Sequence, residues 1–284
     1  MNKFSTKHLV FIFLSLAIIL TSCTGSTEDE NINYTVALKS KGGLPLEGIV
    51  LNVYEDKSLE KLIWASTTDE NGSVSFTAPE SDGYCVVLKE EVKGYSAKEY
   101  YLIEERDFTI SLENKLLPKE SLSDTTFSLG DTYLDFEITD SEGRTHKLSE
   151  LLKTKNTVVL NFWFINCGPC KMEFPYLENA YKKYSEDIAL IAINPVDATD
   201  DSISAFAKDN ELTFPMAVGE PEWERAMLLT AYPTTVVIDR YGTVAMIHKG
   251  SITEDGEFEK IFEFFSSEDY VQTTLSSISD IETQ

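Results

Sequence analysis

The sequence predicts a small all-β sandwich followed by an α/β domain with a central mixed sheet and helices on both faces. Three observations carry this expectation. Between about residues 32 and 114, short alternating runs recur between turn signals, at 34–38, 48–54, 73–76 and 108–112. From about 125 to 265 the pattern changes. Residues 157–163 (TVVLNFW) and 188–193 (IALIAI) are nearly continuous apolar runs, as expected of strands buried on both faces. Segments with helical spacing separate such runs, and alternation of strand and helix builds an α/β sheet.

In chain order, Lys3 and Lys7 precede an apolar run at 9–20, the pattern of an export signal and short for a membrane span. The run ends at Leu20-Thr21-Ser22-Cys23, which resembles the bacterial lipobox. That resemblance implies cleavage after residue 22 and acylation of Cys23; an uncleaved anchor helix is the other reading. Residues 23–31 are polar and acidic and read as a tether. The β-domain follows at 32–114, with Asp69-Glu70-Asn71-Gly72 as a turn between two runs and 84–88 as a short apolar strand. Residues 115–124, with Pro118, form the linker. In the α/β domain, 125–265, helices are expected at 170–184, 202–208 and 258–265. A hairpin is expected at 234–238 and 243–247, about Asp239-Arg240-Tyr241-Gly242. The Ser/Thr-rich tail, 266–284, is expected to fray.

Composition narrows the function. The chain has 284 residues, 42% of them hydrophobic, and a formal net charge of -24. Such acidity argues against nucleic acid as a partner and against a purely electrostatic hold on an anionic membrane. Of the four cysteines, Cys167 and Cys170 should partner each other and Cys85 is left over if Cys23 carries lipid. Cys85 reads as a buried strand residue, or as one half of an intermolecular disulfide.

The chemistry concentrates in residues 161–173 (NFWFINCGPCKME). A buried strand ends, a cysteine sits at its exit and a helix begins. A thiolate is the nucleophile in disulfide exchange, and a helix N-terminus with its free N–H groups favours one. Pro169 fits the first turn, where its missing N–H would have had no partner. Half of a zinc site is one alternative, but it needs a second pair or histidines, and beyond residue 22 only His146 and His248 exist. A purely structural disulfide is the other, yet so short a loop removes little unfolded-state entropy. No metal and no cofactor are expected.

Three runs resemble the thioredoxin superfamily in its membrane-tethered TlpA/ResA-like branch: 160–175 (LNFWFINCGPCKMEFP), 232–239 (YPTTVVID), and the lead-in 136–140 (FEITD) with Gly143 and Leu148. The resemblance covers about half the chain. It implies a thiol–disulfide oxidoreductase in which Cys167 attacks a protein disulfide and Cys170 resolves the mixed disulfide. It implies that Pro233 is cis, and that Tyr232, Asn166, Gly168 and Pro169 line the substrate surface. Glu173 matches an acid that tunes the thiols; a solvated first-turn carboxylate is its other reading. Asn166 stands where the family usually has Trp. Asn161 stands where thioredoxin has Asp, which shifts proton transfer with Cys170 onto Glu173. The Gly168-Pro169 dipeptide matches thioredoxin's own and implies a reductase of exported proteins, haem-attachment cysteines of cytochromes c among them. The resemblance also implies re-reduction by a membrane electron donor and a place at a bacterial membrane, facing the periplasm or the exterior. Alternatives are a thioredoxin-like peroxidase, for which no Pro-x-x-x-Thr-x-x-Cys run surrounds Cys167, and a surface adhesion module with an inert thioredoxin-like fold. Residues 43–48 (GLPLEG), 67–72 (TTDENG) and Gly94-Tyr95 resemble prealbumin-like, Cna-B-type repeats, which implies a spacer or docking role for the β-domain.

Overall fold

The computed structural model describes residues 31–276 and 278–283. The signal segment, Cys23 and the tether up to residue 30 lie outside the described residues. Strands β1 (Asn31–Ser40), β2 (Val50–Tyr54), β3 (Leu62–Thr67), β4 (Ser73–Pro79), β5 (Cys85–Leu88), β6 (Tyr95–Ser96), β7 (Tyr101–Leu102) and β8 (Asp107–Asn114) form two sheets. Their orders are β4-β1-β8-β6 and β3-β2-β5-β7. In β1 the residues facing inward are Tyr34, Val36, Leu38 and Ser40, so the period-two pattern becomes one buried face. That face meets Leu51, Val53, Phe76, Val86 and Ile110 in a shared core between the sheets. The turn at 69–72 is present, with Gly72 at φ +69 and Asp69 Oδ1 accepting from the Asn71 and Ser73 amides. It joins β3 to β4, which lie in different sheets, and so crosses the sandwich instead of closing a hairpin.

A 3-10 turn, Lys119–Ser123, leads into the second unit. There β9 (Glu137–Thr139) pairs with β10 (Thr145–Lys147), and α1 (Leu148–Leu151) follows. The main sheet contains β11 (Thr157–Phe162), β12 (Ile188–Asn194), β13 (Met216–Val218), β14 (Thr234–Asp239) and β15 (Val244–Lys249), in the order β13-β12-β11-β14-β15. Pairing is parallel among β11, β12 and β13 and antiparallel on to β14 and β15. The helices are α2 (Gly168–Tyr184), α3 (Asp200–Asp209), α4 (Glu222–Ala226) and α5 (Glu257–Ser266). The longer helices α2, α3 and α5 cover one face through Phe174, Leu177, Ile203, Phe258 and Phe262. The other face is covered by α1, α4 and the lead-in residues Phe127, Tyr133 and Phe136. Every residue of β11 is buried, the reason its run is apolar without alternation. This is the thioredoxin-like arrangement, preceded by an all-β sandwich.

The tail departs from the expected fraying. Tyr270, Gln272 and Leu275 are buried, and the Leu275 amide donates to Ala245 O on the outer edge of β15. Gln272 also ties the two units together. Its amide N–H donates to Gly42 O at 2.9 Å, its Oε1 accepts from Ser40 Oγ and its Nε2 donates to Thr243 Oγ1. Asn114 Nδ2 donates to Thr243 Oγ1 at 3.0 Å, and Thr132 Oγ1 donates to Gly94 O at 3.0 Å. Gly94 has φ +83, and a Cβ there would lie 2.6 Å from Thr132 Cβ, so the junction requires glycine on both counts.

Candidate active site

Strand β11 ends at Phe162, and the chain turns through Phe164 and Ile165 before α2 begins. The turn is closed by the Cys167 amide donating to Phe164 O at 3.1 Å, and the Ile165 amide donates to Asp197 Oδ1 at 3.0 Å. Cys167 occupies the N-cap of α2 with extended backbone angles, and Pro169 sits in the first turn. Its Sγ accepts from the Cys170 amide at 3.1 Å. Cys167 and Cys170 are joined as a disulfide with a Cα–Cα separation of 5.3 Å. Cys167 retains 2% exposure and Cys170 none, so only the first reaches the surface. Asn166, Gly168 and Pro169 beside it are exposed. A side chain at Gly168 would meet no atom within 4 Å, so its absence keeps that approach clear.

Glu173 lies one helical turn beyond Cys170 and is fully buried, which overturns the reading of it as a solvated carboxylate. Asn161 Nδ2 on β11 donates to its Oε1 at 2.7 Å, and the Ile252 amide, in the loop after β15, donates to its Oε2 at 2.9 Å. Burial outweighs these two hydrogen bonds and pushes the carboxyl up from 4.5 to about 7. Such a group exchanges its proton near neutrality. Asn161 spends its second Nδ2 hydrogen on Thr235 Oγ1 at 3.2 Å, while its Oδ1 is buried without a partner.

The Tyr232–Pro233 peptide bond is cis. Pairing of β14 with β11 starts at Thr234, so Tyr232 lies beyond the ladder, and the Gly250 amide donates to Pro233 O at 2.9 Å. The Tyr232 ring meets Phe164 edge-on, with centroids 5.4 Å apart. The structure therefore joins the cis-proline loop to the segment leading into Cys167. Phe164 and Thr235 lie within the runs that carry the resemblance but were not singled out, and Ile252 lies outside them, because their roles arise from contacts distant in sequence. Cys85 sits apart, buried in β5, with its thiol directed at Gly83 O at 3.5 Å; burial pushes that thiol up.

A thioredoxin-like sheet with a disulfide at the N-terminus of its main helix and a cis-proline loop across from it defines a class, the thioredoxin-fold redox proteins. Comparison with known proteins agrees. The AhpC/TSA family model matches residues 129–247. The thioredoxin-like protein YneN of Bacillus subtilis is 31% identical over 129 residues, which are 45% of this chain and 75% of that protein. The thiol-disulfide oxidoreductase ResA of Geobacillus kaustophilus is 34% identical over 137 residues, 46% of this chain and 75% of that protein. A solved structure of a putative protein disulfide isomerase from Bacteroides thetaiotaomicron is 28% identical and covers 50% of this chain and 92% of its own, with a TM-score of 0.43. The chain belongs to the thioredoxin-like AhpC/TSA family, among the thiol–disulfide oxidoreductases of the ResA type. Among the described residues no helix is long and apolar enough to cross a membrane.

Proposed function

We propose that this chain reduces disulfides in exported proteins and works outside the cytoplasm from a lipid anchor at Cys23. The observation that carries the reading is the disulfide at the start of α2, open only at Cys167 and backed by the buried carboxyl of Glu173. In the reduced protein, the helix N-terminus and the Cys170 amide stabilise a thiolate at Cys167, the helix contributing about 0.3–1 kcal/mol. That thiolate attacks one sulfur of a substrate disulfide. A mixed disulfide forms and the first substrate thiolate leaves. Glu173, as its carboxylate, takes the Cys170 proton as Cys170 attacks Cys167 Sγ. The second substrate thiolate departs, the Cys167–Cys170 disulfide re-forms, and two electrons have passed to the substrate. A membrane thiol donor restores the dithiol by the same exchange in reverse.

Support for polypeptide substrates comes from the cis-proline loop. Tyr232 lies beyond the β14 ladder, where an extended chain fits beside the sulfurs as an added strand. Asn166 offers a polar, exposed neighbour at the approach to Cys167. The β-domain serves as a spacer, held to the redox unit through Gln272 and Asn114. Insulin reduction with a thiol donor tests the reading. Wild-type protein accelerates it, Cys167→Ser abolishes it, and Cys170→Ser accumulates a mixed disulfide. Equal activity in wild type and Cys167→Ser would refute the catalytic assignment, and an adhesion module with an inert fold would then stand. Cys23→Ser should abolish labelling by a fatty-acid analogue and release the protein from membranes.

A further inference from the structure

The cis-proline loop is held by a side chain that no motif marks. Tyr232 Oη–H donates to Glu224 Oε1 at 2.7 Å. Glu224 is eight residues earlier, on α4, and does not belong to the loop it restrains. On its other side the Tyr232 ring stands against Phe164 with planes 87° apart. Tyr232 thus bridges the two segments that flank the disulfide, and a carboxylate fixes its outer end. Burial, with the neighbouring Glu224 carboxylate, pushes the phenol well up, so Tyr232 stays a hydrogen-bond donor throughout the physiological range.

Helix α4 is a firm reference for this contact. Trp223 and Ala226 are buried in the core beneath it. The Arg225 guanidinium donates to Leu122 O, and the Phe127 amide donates to Ala226 O at 2.8 Å, so the chain entering the domain is fastened to the same helix. The stretch between α4 and Tyr232 is anchored by Met227, which is buried, and by Leu229, which packs on the same core, and is exposed at the positions between and just after them. Leu228 is 50% exposed and has φ +47, and Lys249 Nζ reaches over to Leu228 O at 3.3 Å and Thr230 Oγ1 at 3.0 Å. At its exposed positions, Leu228 and Thr230, the loop takes its shape from such polar ties.

We propose that Glu224 is a positioning residue: its carboxylate sets the orientation of Tyr232 and so the surface on which a polypeptide substrate lies before exchange. Glu224 touches neither sulfur and takes no part in the electron transfer. Its effect falls on binding of an extended chain, since a fixed ring spares the substrate the cost of ordering it. This inference rests on the reading of Cys167 and Cys170 as a site that reduces polypeptide disulfides.

The test is steady-state insulin reduction by full-length wild-type, Glu224→Ala, Glu224→Gln, Tyr232→Phe and the Glu224→Ala/Tyr232→Phe double variant. Loss of a hydrogen bond to a charged acceptor predicts a KM about tenfold higher for Glu224→Ala and for Tyr232→Phe, with kcat within about twofold. Glutamine keeps an acceptor at the same reach, so Glu224→Gln should restore KM to within about threefold of wild type. The double variant should be no worse than either single one, because both remove one contact. A wild-type KM in Glu224→Ala, a Glu224→Gln as impaired as the alanine variant, or additive effects in the double variant would overturn the inference. Wild-type protein that fails to reduce insulin would overturn the reading of the site and this inference with it. An active wild type beside an unaffected Glu224→Ala would overturn the inference alone. Glu224→Gln and Tyr232→Phe keep size and shape, so they decide the matter even if the alanine variant folds poorly.

Discussion

Replacing Glu173 by Gln should change how the stability of the oxidised protein depends on pH. The carboxyl is fully buried, with one hydrogen bond to each oxygen, and its pKa is raised from 4.5 to about 7. A rise of that size corresponds to about 3 kcal/mol between the protonated and charged forms. The sign follows from proton binding. Between about pH 4.5 and 7 the folded protein holds this proton and the unfolded chain does not. Unfolding therefore releases a proton, and stability falls as pH rises through that window. Above pH 7 the folded protein carries the whole penalty. Gln has no proton to lose, so the variant lacks this fall. Asp239 is also buried and pushed up to about 6, and it adds a fall of its own that both proteins share. The difference between their curves isolates Glu173. Urea denaturation of the oxidised forms at half-unit steps from pH 4.5 to 8 measures it. The unfolding free energy of the variant relative to wild type should climb by about 3 kcal/mol across the range, mostly between pH 5 and 7. Parallel curves would show that Glu173 titrates as an ordinary exposed acid, and the proton-acceptor role would lose its physical basis.

The same substitution should slow release of product from the mixed disulfide by about 100-fold near pH 7, read by single-turnover thiol release, if Glu173 takes the proton of Cys170. Gly94→Ala should destabilise the protein by more than 1 kcal/mol (roughly the cost of forcing a side chain into a left-handed position), because its Cβ also collides with Thr132; calorimetry reads this as a lower melting temperature. Gln272→Ala leaves the buried Ser40 and Thr243 hydroxyls short of a partner and should cost about 1–3 kcal/mol, with faster proteolysis of the tail. Cys85 should resist iodoacetamide in the native protein and react in denaturant, as mass spectrometry of the labelled peptide would show.

Much of the redox domain was legible because its signals are local. An apolar run that ends in Cys-Gly-Pro-Cys, with a helical pattern after it, specifies a strand, an N-cap and a first turn in one stretch. The second helix expected at 202–208 spans Asp200–Asp209, extended at its start by the Thr199–Ser202 capping box. Other elements gave no such signal. Strand β3 has no buried residue, so its sequence lacks the alternation that betrays a strand. Strand β13 has three residues and α4 five, too few for either period to emerge. The tail reads as polar, and it is, but three anchors at 270, 272 and 275 bury against elements far away in sequence. The state of Glu173 was equally hidden. Its match to the family implied a thiol-tuning acid while its place near the start of α2 equally allowed a solvated carboxylate, and the partners that accompany its burial, Asn161 on β11 and the Ile252 amide, are met only through the fold. Glu224 is hidden for the same reason, since its partner is met only through the fold.

Disulfide reduction at this site requires Cys167 to be an acidic, reachable thiol in the reduced protein. The rate of its alkylation in Cys170→Ser, followed from pH 4 to 10 with the site mapped by mass spectrometry, tests this directly. The helix N-terminus and the Cys170 amide predict half-maximal reactivity at least one unit below the ordinary cysteine value of about 8.5, and faster modification than Cys85 at every pH. A titration at that ordinary value, or a Cys167 as inert as Cys85, would contradict it.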